Sequence, residues 1–403
     1  MRRTLVLTIA ILVATAAFAP FAAASGATSA GDSAPIGDAT SETGPVFDAS
    51  AGGCEYPIEL EDRDGETVTI EDRPESIVAL YPSDAQKAFT IGADDRLTGM
   101  PIGQYTEGLE VDGQTDISED DGLTPDLETV IALEPDVVLA ASIAEEDVVE
   151  GLREAGIDVY VFETETTLED VVHHVELTGQ LAGSCEGAAV ATDWMDERLG
   201  IVEDAVAEED HPLTLYAMDD QGFTAGTGTF QHDVLTTAGV TNLGAEAGIE
   251  GWAIVDDEDV IDADPEWIVY GEFWGEPPVS EAVGETTAMQ ESQHVGIDSS
   301  DVSQPAPKVV YAVEEIFAAI HPDAHAEVEA DLDAADERYE SELTALADDD
   351  EADGDDAADE DDEDAADETD DEDGADEDPI PGFGLPVAVA GLLAALAILL
   401  ARR

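Results

Sequence analysis

The chain has 403 residues, 43% of them hydrophobic, which is apolar matter enough for two domains or one large bilobal one. Its formal net charge is −87, from 99 acidic residues against 12 basic, and it contains only two lysines, Lys87 and Lys308. This balance excludes nucleic acid as a partner, because no basic footprint exists. It fits a surface built for multimolar salt, where a Debye length of about 3 Å removes the self-repulsion such a charge would cause in dilute buffer.

Residues 1–24 read as an export signal: Arg2 and Arg3 precede an apolar run from Leu5 to Phe18, and Ala22-Ala23-Ala24 supplies small residues for cleavage. The twin arginines leave both the general and the twin-arginine export routes open. Residues 25–53, rich in Gly, Ala, Ser and Thr, are expected to be a flexible lead-in. Cys54 and Cys185 are the only cysteines. In an exported chain the pair reads as a disulfide, with two buried thiols as the alternative.

From Cys54 onward, short apolar runs alternate with helical patterns. Strands are expected near Tyr56–Leu60, Ser76–Tyr81, Leu97–Met100, Val137–Ala140 and Val159–Phe162, with helices after Pro82, Leu127, Glu145 and Leu168. Residues 103–124 read as a Gly- and acid-rich loop carrying Tyr105. Such alternation predicts a parallel sheet covered by helices. Residues 186–207 form one long proline-free helix, with Ala191, Met195, Leu199, Val202 and Val206 on one face. Beyond it strands are expected at Leu213–Tyr216 and Trp267–Tyr270. A turn is expected at Gly222–Gly226, a helix at Phe230–Ala238, and closing helices at Pro305–Ile320 and Pro322–Ala347.

The chain repeats itself across that long helix. Leu127-Glu128 through Glu134-Pro135-Asp136-Val137 matches Asp257-Glu258 through Asp264-Pro265-Glu266-Trp267 position for position, each a short helix, a Pro-acid break and a buried strand. A weaker echo pairs Phe89–Gly92, followed by Leu97, with Leu235–Gly239, followed by Leu243. The expected fold class is therefore α/β: two similar α/β lobes, residues 54–185 and 208–347, joined by one interlobe helix, residues 186–207. Residues 348–378, mostly Asp and Glu, are expected to be a disordered linker. Residues 379–403 end in an apolar run and Arg402-Arg403, of a length at the short end for a membrane span, with the arginines on the cytoplasmic side.

The motifs resemble a known family, the helical-backbone class of ABC-transporter substrate-binding proteins that capture cobalamin and ferric siderophores. The resemblance rests on Pro74-Glu75-Ser76-Ile77-Val78-Ala79-Leu80-Tyr81-Pro82-Ser83, Ile91-Gly92-Ala93-Asp94-Asp95-Arg96-Leu97, and the Leu127–Leu139 segment. It continues through Phe223-Thr224-Ala225-Gly226-Thr227-Gly228-Thr229-Phe230 and Ser303-Gln304-Pro305-Ala306-Pro307-Lys308. It implies an extracytoplasmic receptor that holds a siderophore, haem or cobalamin between its lobes, with little closure because one rigid helix resists bending. The implied partners are a permease dimer with its ATPase, met by one glutamate per lobe, Glu128 and Glu258; glutamate also favours a helix's first turn for its own sake. Tyr81, Tyr105, Phe223, Trp252 and Trp274 are the implied ligand-binding aromatics, with core packing as the alternative for each, and Trp252 stands where the family has a pocket tryptophan. The tail, with Pro381-Gly382-Phe383, resembles the archaeal PGF-CTERM pattern, which implies a chain anchored on the outer face of the membrane by a lipid after cleavage or by a retained span.

No cofactor, metal site or catalytic residue is expected. The sequence has neither a Gly-x-Ser-x-Gly elbow nor an HExxH pair, and His321 and His325, though spaced like ligands, flank Pro322. The competing readings are a metal-ion receptor and a surface or sensory module on the same fold.

Overall fold

Two parallel sheets carry the molecule, each laid down by the buried apolar runs described above. The computed structural model describes residues 53–119 and 122–357, with side chains to residue 347. The export signal, most of the lead-in, most of the acidic linker and the Pro381-Gly382-Phe383 tail lie outside the described residues. Among the described residues no helix is long and apolar enough to cross a membrane.

The first lobe opens with an antiparallel hairpin, β1 (Ile58–Glu61) and β2 (Thr67–Ile70). Then come β3 (Ile77–Ala79), α1 (Pro82–Thr90), β4 (Leu97–Met100), β5 (Thr115–Asp116), α2 (Leu127–Ala132), β6 (Val137–Ala140), α3 (Glu146–Glu154) and β7 (Val159–Val161). The sheet order is β5-β4-β3-β6-β7, all parallel, with β3 and β6 wholly buried. The chain builds outward from β3 through β4 and β5, then returns to build the other way through β6 and β7. The carboxyl ends of β3 and β6 are therefore the point where the winding direction reverses, the usual place for a ligand in such sheets.

Next, α4 (Leu168–Ala182) starts with a capping box between Thr167 and Asp170 and stops at Gly183, whose φ is 68°. The interlobe helix α5 (Cys185–Val206) follows, 22 residues long and so about 33 Å. All five residues assigned to its apolar face are buried. Its first turn passes tightly over the end of α1: a Cβ on Gly187 would fall 2.0 Å from the carbonyl oxygen of Ile91. Cys54 and Cys185 form a disulfide with a Cα–Cα distance of 5.3 Å, tying the entry of the first lobe to the start of α5.

The second lobe contains β8 (Leu213–Ala217), β9 (Phe223–Ala225), α6 (Phe230–Thr237), β10 (Thr241–Asn242), α7 (Leu243–Glu246), β11 (Trp252–Ile254), α8 (Asp257–Ala263) and β12 (Trp267–Gly271). It closes with α9 (Thr287–Glu291), β13 (His294–Ile297), α10 (Ser299–Ser303), α11 (Val309–Ile320) and α12 (Pro322–Ala357). Its sheet order is β10-β8-β12-β13, again parallel, so the winding reverses between β8 and β12.

The repeat extends to the backbone. Glu134 and Asp264, at matching positions before buried Pro135 and Pro265, both take the left-handed conformation with φ 48°. Gly92 and Gly239 also match, ending α1 and α6 at φ 66° and 82°. The echo stops there: Leu97 opens a strand, but Leu243 opens a helix, because the side chain of Asn242 caps α7 by accepting from Gly244 N at 2.9 Å.

Three expectations need correction. The 103–124 loop contains β5, which pairs with Gly99 and Met100. The turn at 222–226 instead contains β9, which pairs antiparallel with β11, Trp252 opposite Ala225 and Ile254 opposite Phe223. Three-residue strands carry too little alternation to register as a period-2 pattern. Finally, α12 neither stops at residue 347 nor stays in the second lobe. It runs to Ala357 on residues dominated by Ala, Asp and Glu with no proline to halt it. It lies along α5 and reaches the first lobe, where the Tyr339 hydroxyl donates to Thr90 O at 2.7 Å.

Two helices rather than one therefore span the lobes. Between them Arg198 of α5, almost fully buried, is bonded to Glu314 and Asp336 and lies 4.7 Å from the Tyr311 ring centroid. Trp194 stacks on Tyr339 with ring centroids 4.7 Å apart. A single apolar core runs from Ile77 and Ala85 of the first lobe past Met195 and Leu199 to Val234 and Val313 of the second.

Candidate ligand cleft

Contacts between the lobes gather at the carboxyl ends of both sheets. The loop after β4 meets the segment after α10: Gln304 Nε2 donates to Tyr105 O at 3.2 Å and Lys308 Nζ to Gly108 O at 3.0 Å. The backbone N–H of Lys308 donates to Gln86 Oε1 of α1 at 2.8 Å. At the start of α4, Leu168 N donates to Asp233 Oδ2 of α6 at 2.7 Å. These contacts bring loops that follow strands of both sheets together, and in sheets wound this way the ligand site is expected between the lobes, at the winding-reversal points.

In the second lobe that edge is an apolar ridge. Phe223 and Trp252, diagonal neighbours on the β9–β11 pair, stack with centroids 5.6 Å apart and planes 17° from parallel. Tyr216 meets Trp252 edge-on at 6.1 Å. Met218 follows β8, and its carbonyl accepts from Trp274 Nε1 at 3.1 Å, which fixes the indole beside it. Phe273 packs against Trp274 at 4.9 Å. Trp252, Trp274 and Phe273 are nevertheless 37%, 41% and 68% exposed, a large aromatic surface held in place but uncovered.

The first lobe offers less aromatic surface than the sequence suggests. Tyr81 is buried; its hydroxyl bonds to the backbone at Glu145, and burial, then the Asp84 carboxylate, push its pKa up. Tyr105 is half-buried and meets the other lobe through its backbone. The exposed apolar residues on this edge are aliphatic: Ile102 after β4 and Ile143 after β6. Met218, Ile102 and Ile143 are site candidates that the sequence reading missed. Single aliphatic residues after a strand carry no pattern, and only their common position at carboxyl edges marks them.

Beneath the first-lobe reversal point lies an enclosed charge network. Lys87 Nζ is 3.0 Å from Glu165 Oε1 and 3.8 Å from Asp84 Oδ1, and sits 4.7 Å from the Phe162 ring centroid. His174 Nδ1 is 2.8 Å from the same Glu165 oxygen. Asp84 Oδ2 accepts from Ala141 N at 2.9 Å, so the network pins the backbone just before Ser142 and Ile143 at the cleft edge. Burial lifts the Asp84 carboxyl to about 6 despite Lys87. Burial also works against the Glu165 carboxylate, but Lys87 and His174 outweigh it and hold the pKa at about 2.

Glu128 and Glu258 are exposed second residues of α2 and α8. Both helices run back against the strands they precede, which puts their first turns on the cleft side of each sheet. Asp126 caps α2 by accepting from Glu128 N and Thr129 N. Among the described residues no cluster of His, Cys, Asp and Glu is arranged to hold a metal ion.

Residues 77–292 match the family described as periplasmic binding protein. The cobalamin-binding protein of Halobacterium salinarum is 30% identical over 280 residues, covering 66% of this chain and 75% of that protein. Among solved structures, Helicobacter pylori CeuE in a nickel–histidine complex superposes with a TM-score of 0.58 at 18% identity, over 71% of this chain and 95% of CeuE. The periplasmic haem-binding protein RhuT from Roseiflexus sp. RS-1, in its apo form, gives 0.54 at 18% identity over 62% and 99%. The two structural matches establish the shared fold.

Proposed function

This chain belongs to the periplasmic binding protein family, and from that premise we propose that it is the extracytoplasmic solute-binding receptor of an ABC importer. It captures a corrinoid or an iron chelate and passes it to a permease dimer. The observation that carries the ligand class is the uncovered aromatic ridge of Trp252, Phe273 and Trp274 at the second lobe's reversal point, with half-buried Phe223 stacked on Trp252. Rigid rings offer large contact area to a bulky ligand at small entropic cost. The H. salinarum relative, named for cobalamin, supports the corrinoid side of the class.

Delivery rests on Glu128 and Glu258, which the repeat puts at equivalent positions, so that pseudo-symmetry presents two carboxylates to two equivalent permease sites. With α5 and α12 both crossing between the lobes, docking rather than wide closure signals the loaded state. The Pro381-Gly382-Phe383 tail and the acidic linker tether the receptor outside the membrane.

Ligand uptake by cells carrying Glu128→Lys together with Glu258→Lys tests the docking step. Uptake falls at least about tenfold, in the range of removing a charged interface anchor, while ligand binding by the purified variant is unchanged. Undiminished uptake removes these residues from the mechanism.

A further inference from the structure

Building on the receptor reading, we propose that the cleft selects a large apolar ligand without net negative charge and rejects polyanionic chelates. The lysines and arginines among the described residues are all engaged within the protein. Arg96 donates to Ala182 O and Gly183 O, and Arg73 packs against Gly183; both lie at the end of α4 away from the cleft. Arg153 is paired with Asp62 and Asp64 on the β1–β2 hairpin. Arg198 and Arg338 pair across the α5–α12 contact, with Asp336 and Glu197. Lys87 is enclosed with Glu165.

Among the described residues only Arg63 and Lys308, of the lysines and arginines, reach the carboxyl edges, and each is engaged. Arg63 donates to the carbonyl of Ser142 and pairs with Asp64. Lys308 donates to Gly108 O and has Asp301 as a charged neighbour. Against these stand carboxylates. Glu145, Glu146, Asp147 and Glu150 line an open hollow beside Tyr81, and Glu272 directly precedes Phe273 on the apolar ridge. Beside Lys308, burial first and then Asp298 push the Asp301 carboxyl up to about 7.

An anionic ligand entering this cleft exchanges water for apolar surface and carboxylates, with no cation released to pair with it. Bulk salt screens exposed charges but does not repay the desolvation of an enclosed one. A neutral ferric trihydroxamate, or a corrinoid whose periphery is amides, meets no such cost.

The test is equilibrium dialysis of the full-length chain in multimolar KCl against ligands matched in size but not in charge. These are a neutral ferric trihydroxamate against a trianionic ferric tricatecholate, and haem dimethyl ester against haem. The neutral member of each pair binds at least about 100-fold tighter, the scale of an unpaired buried charge. Glu146→Arg with Glu150→Arg narrows that gap at least about tenfold. Equal or tighter binding of the anions overturns the charge rule and leaves the receptor reading standing. Failure to bind any of these ligands or cobalamin overturns the receptor reading and the charge rule together.

Discussion

Glu165→Gln lowers the unfolding free energy at neutral pH by about 3–5 kcal/mol, the cost of leaving a buried charge without its partner. Lys87 is fully enclosed, and its nearest carboxylate oxygen is Glu165 Oε1 at 3.0 Å; Asp84 Oδ1, at 3.8 Å, is too far to replace it with a hydrogen bond. The amide also weakens the Glu165–His174 contact. Multimolar salt offers no rescue, since screening acts on exposed pairs far more than on enclosed ones.

The pH dependence follows from the direction of each shift. Glu165 has a folded pKa of about 2 against an ordinary 4.5, because Lys87 and His174 together overcome its burial. A depressed carboxylate contributes stability that is present above its unfolded value and lost as pH falls through its folded one. Wild type and Glu165→Gln therefore converge as pH drops from 4.5 toward 2. Asp84 acts in the opposite sense: with its carboxyl lifted from 3.8 to about 6 by burial, its contribution declines as pH rises across that window. Denaturant melts of both proteins in multimolar KCl across the acid range read both effects. A difference below about 1 kcal/mol at pH 7 places the network in contact with water, as for an exposed pair.

Trp252→Ala weakens ligand binding by about 30–100-fold, equivalent to about 2–3 kcal/mol and typical of a central aromatic anchor. Its stacking on Phe223 holds the ring in place before any ligand arrives, so binding need not order it. Because the side chain is already 37% exposed, truncation costs the fold far less than it costs the complex. Trp252→Phe retains most of the affinity, since a ring still stacks on Phe223. Dialysis affinities alongside thermal melts separate the two effects. An affinity change below about threefold with wild-type melting removes the ridge from the binding surface.

What could be read in the sequence was what has a period or a repeat. The spacing from Ala191 to Val206 located α5 to within a residue at each end. The match between Leu127–Leu139 and Asp257–Val269 located α2–β6 and α8–β12 as equivalent units. What could not be read was set by contacts distant in the chain. The three-residue strands β9 and β11 exist because they pair with each other, and that pairing brings Phe223 and Trp252 together. Asp84, Lys87, Glu165 and His174 span two helices and a loop, and no local spacing links Glu165 to Lys87. The one hint was rarity: in a chain with two lysines, one is enclosed in this network and the other bridges the lobes. The closing helix is legible in the sequence, but its passage back along α5 is not, because Tyr339 finds Thr90 only after both lobes are built.

The most direct test of the central claim is ligand retention. The full-length chain, shown to be folded in multimolar KCl by circular dichroism, is incubated in turn with cobalamin, a neutral ferric trihydroxamate and haem dimethyl ester. It is then desalted and its visible spectrum recorded. A corrinoid or iron-chelate band is expected to travel with the protein at one ligand per chain and to be lost on Trp252→Ala. A folded protein that emerges from every incubation without a band contradicts the claim.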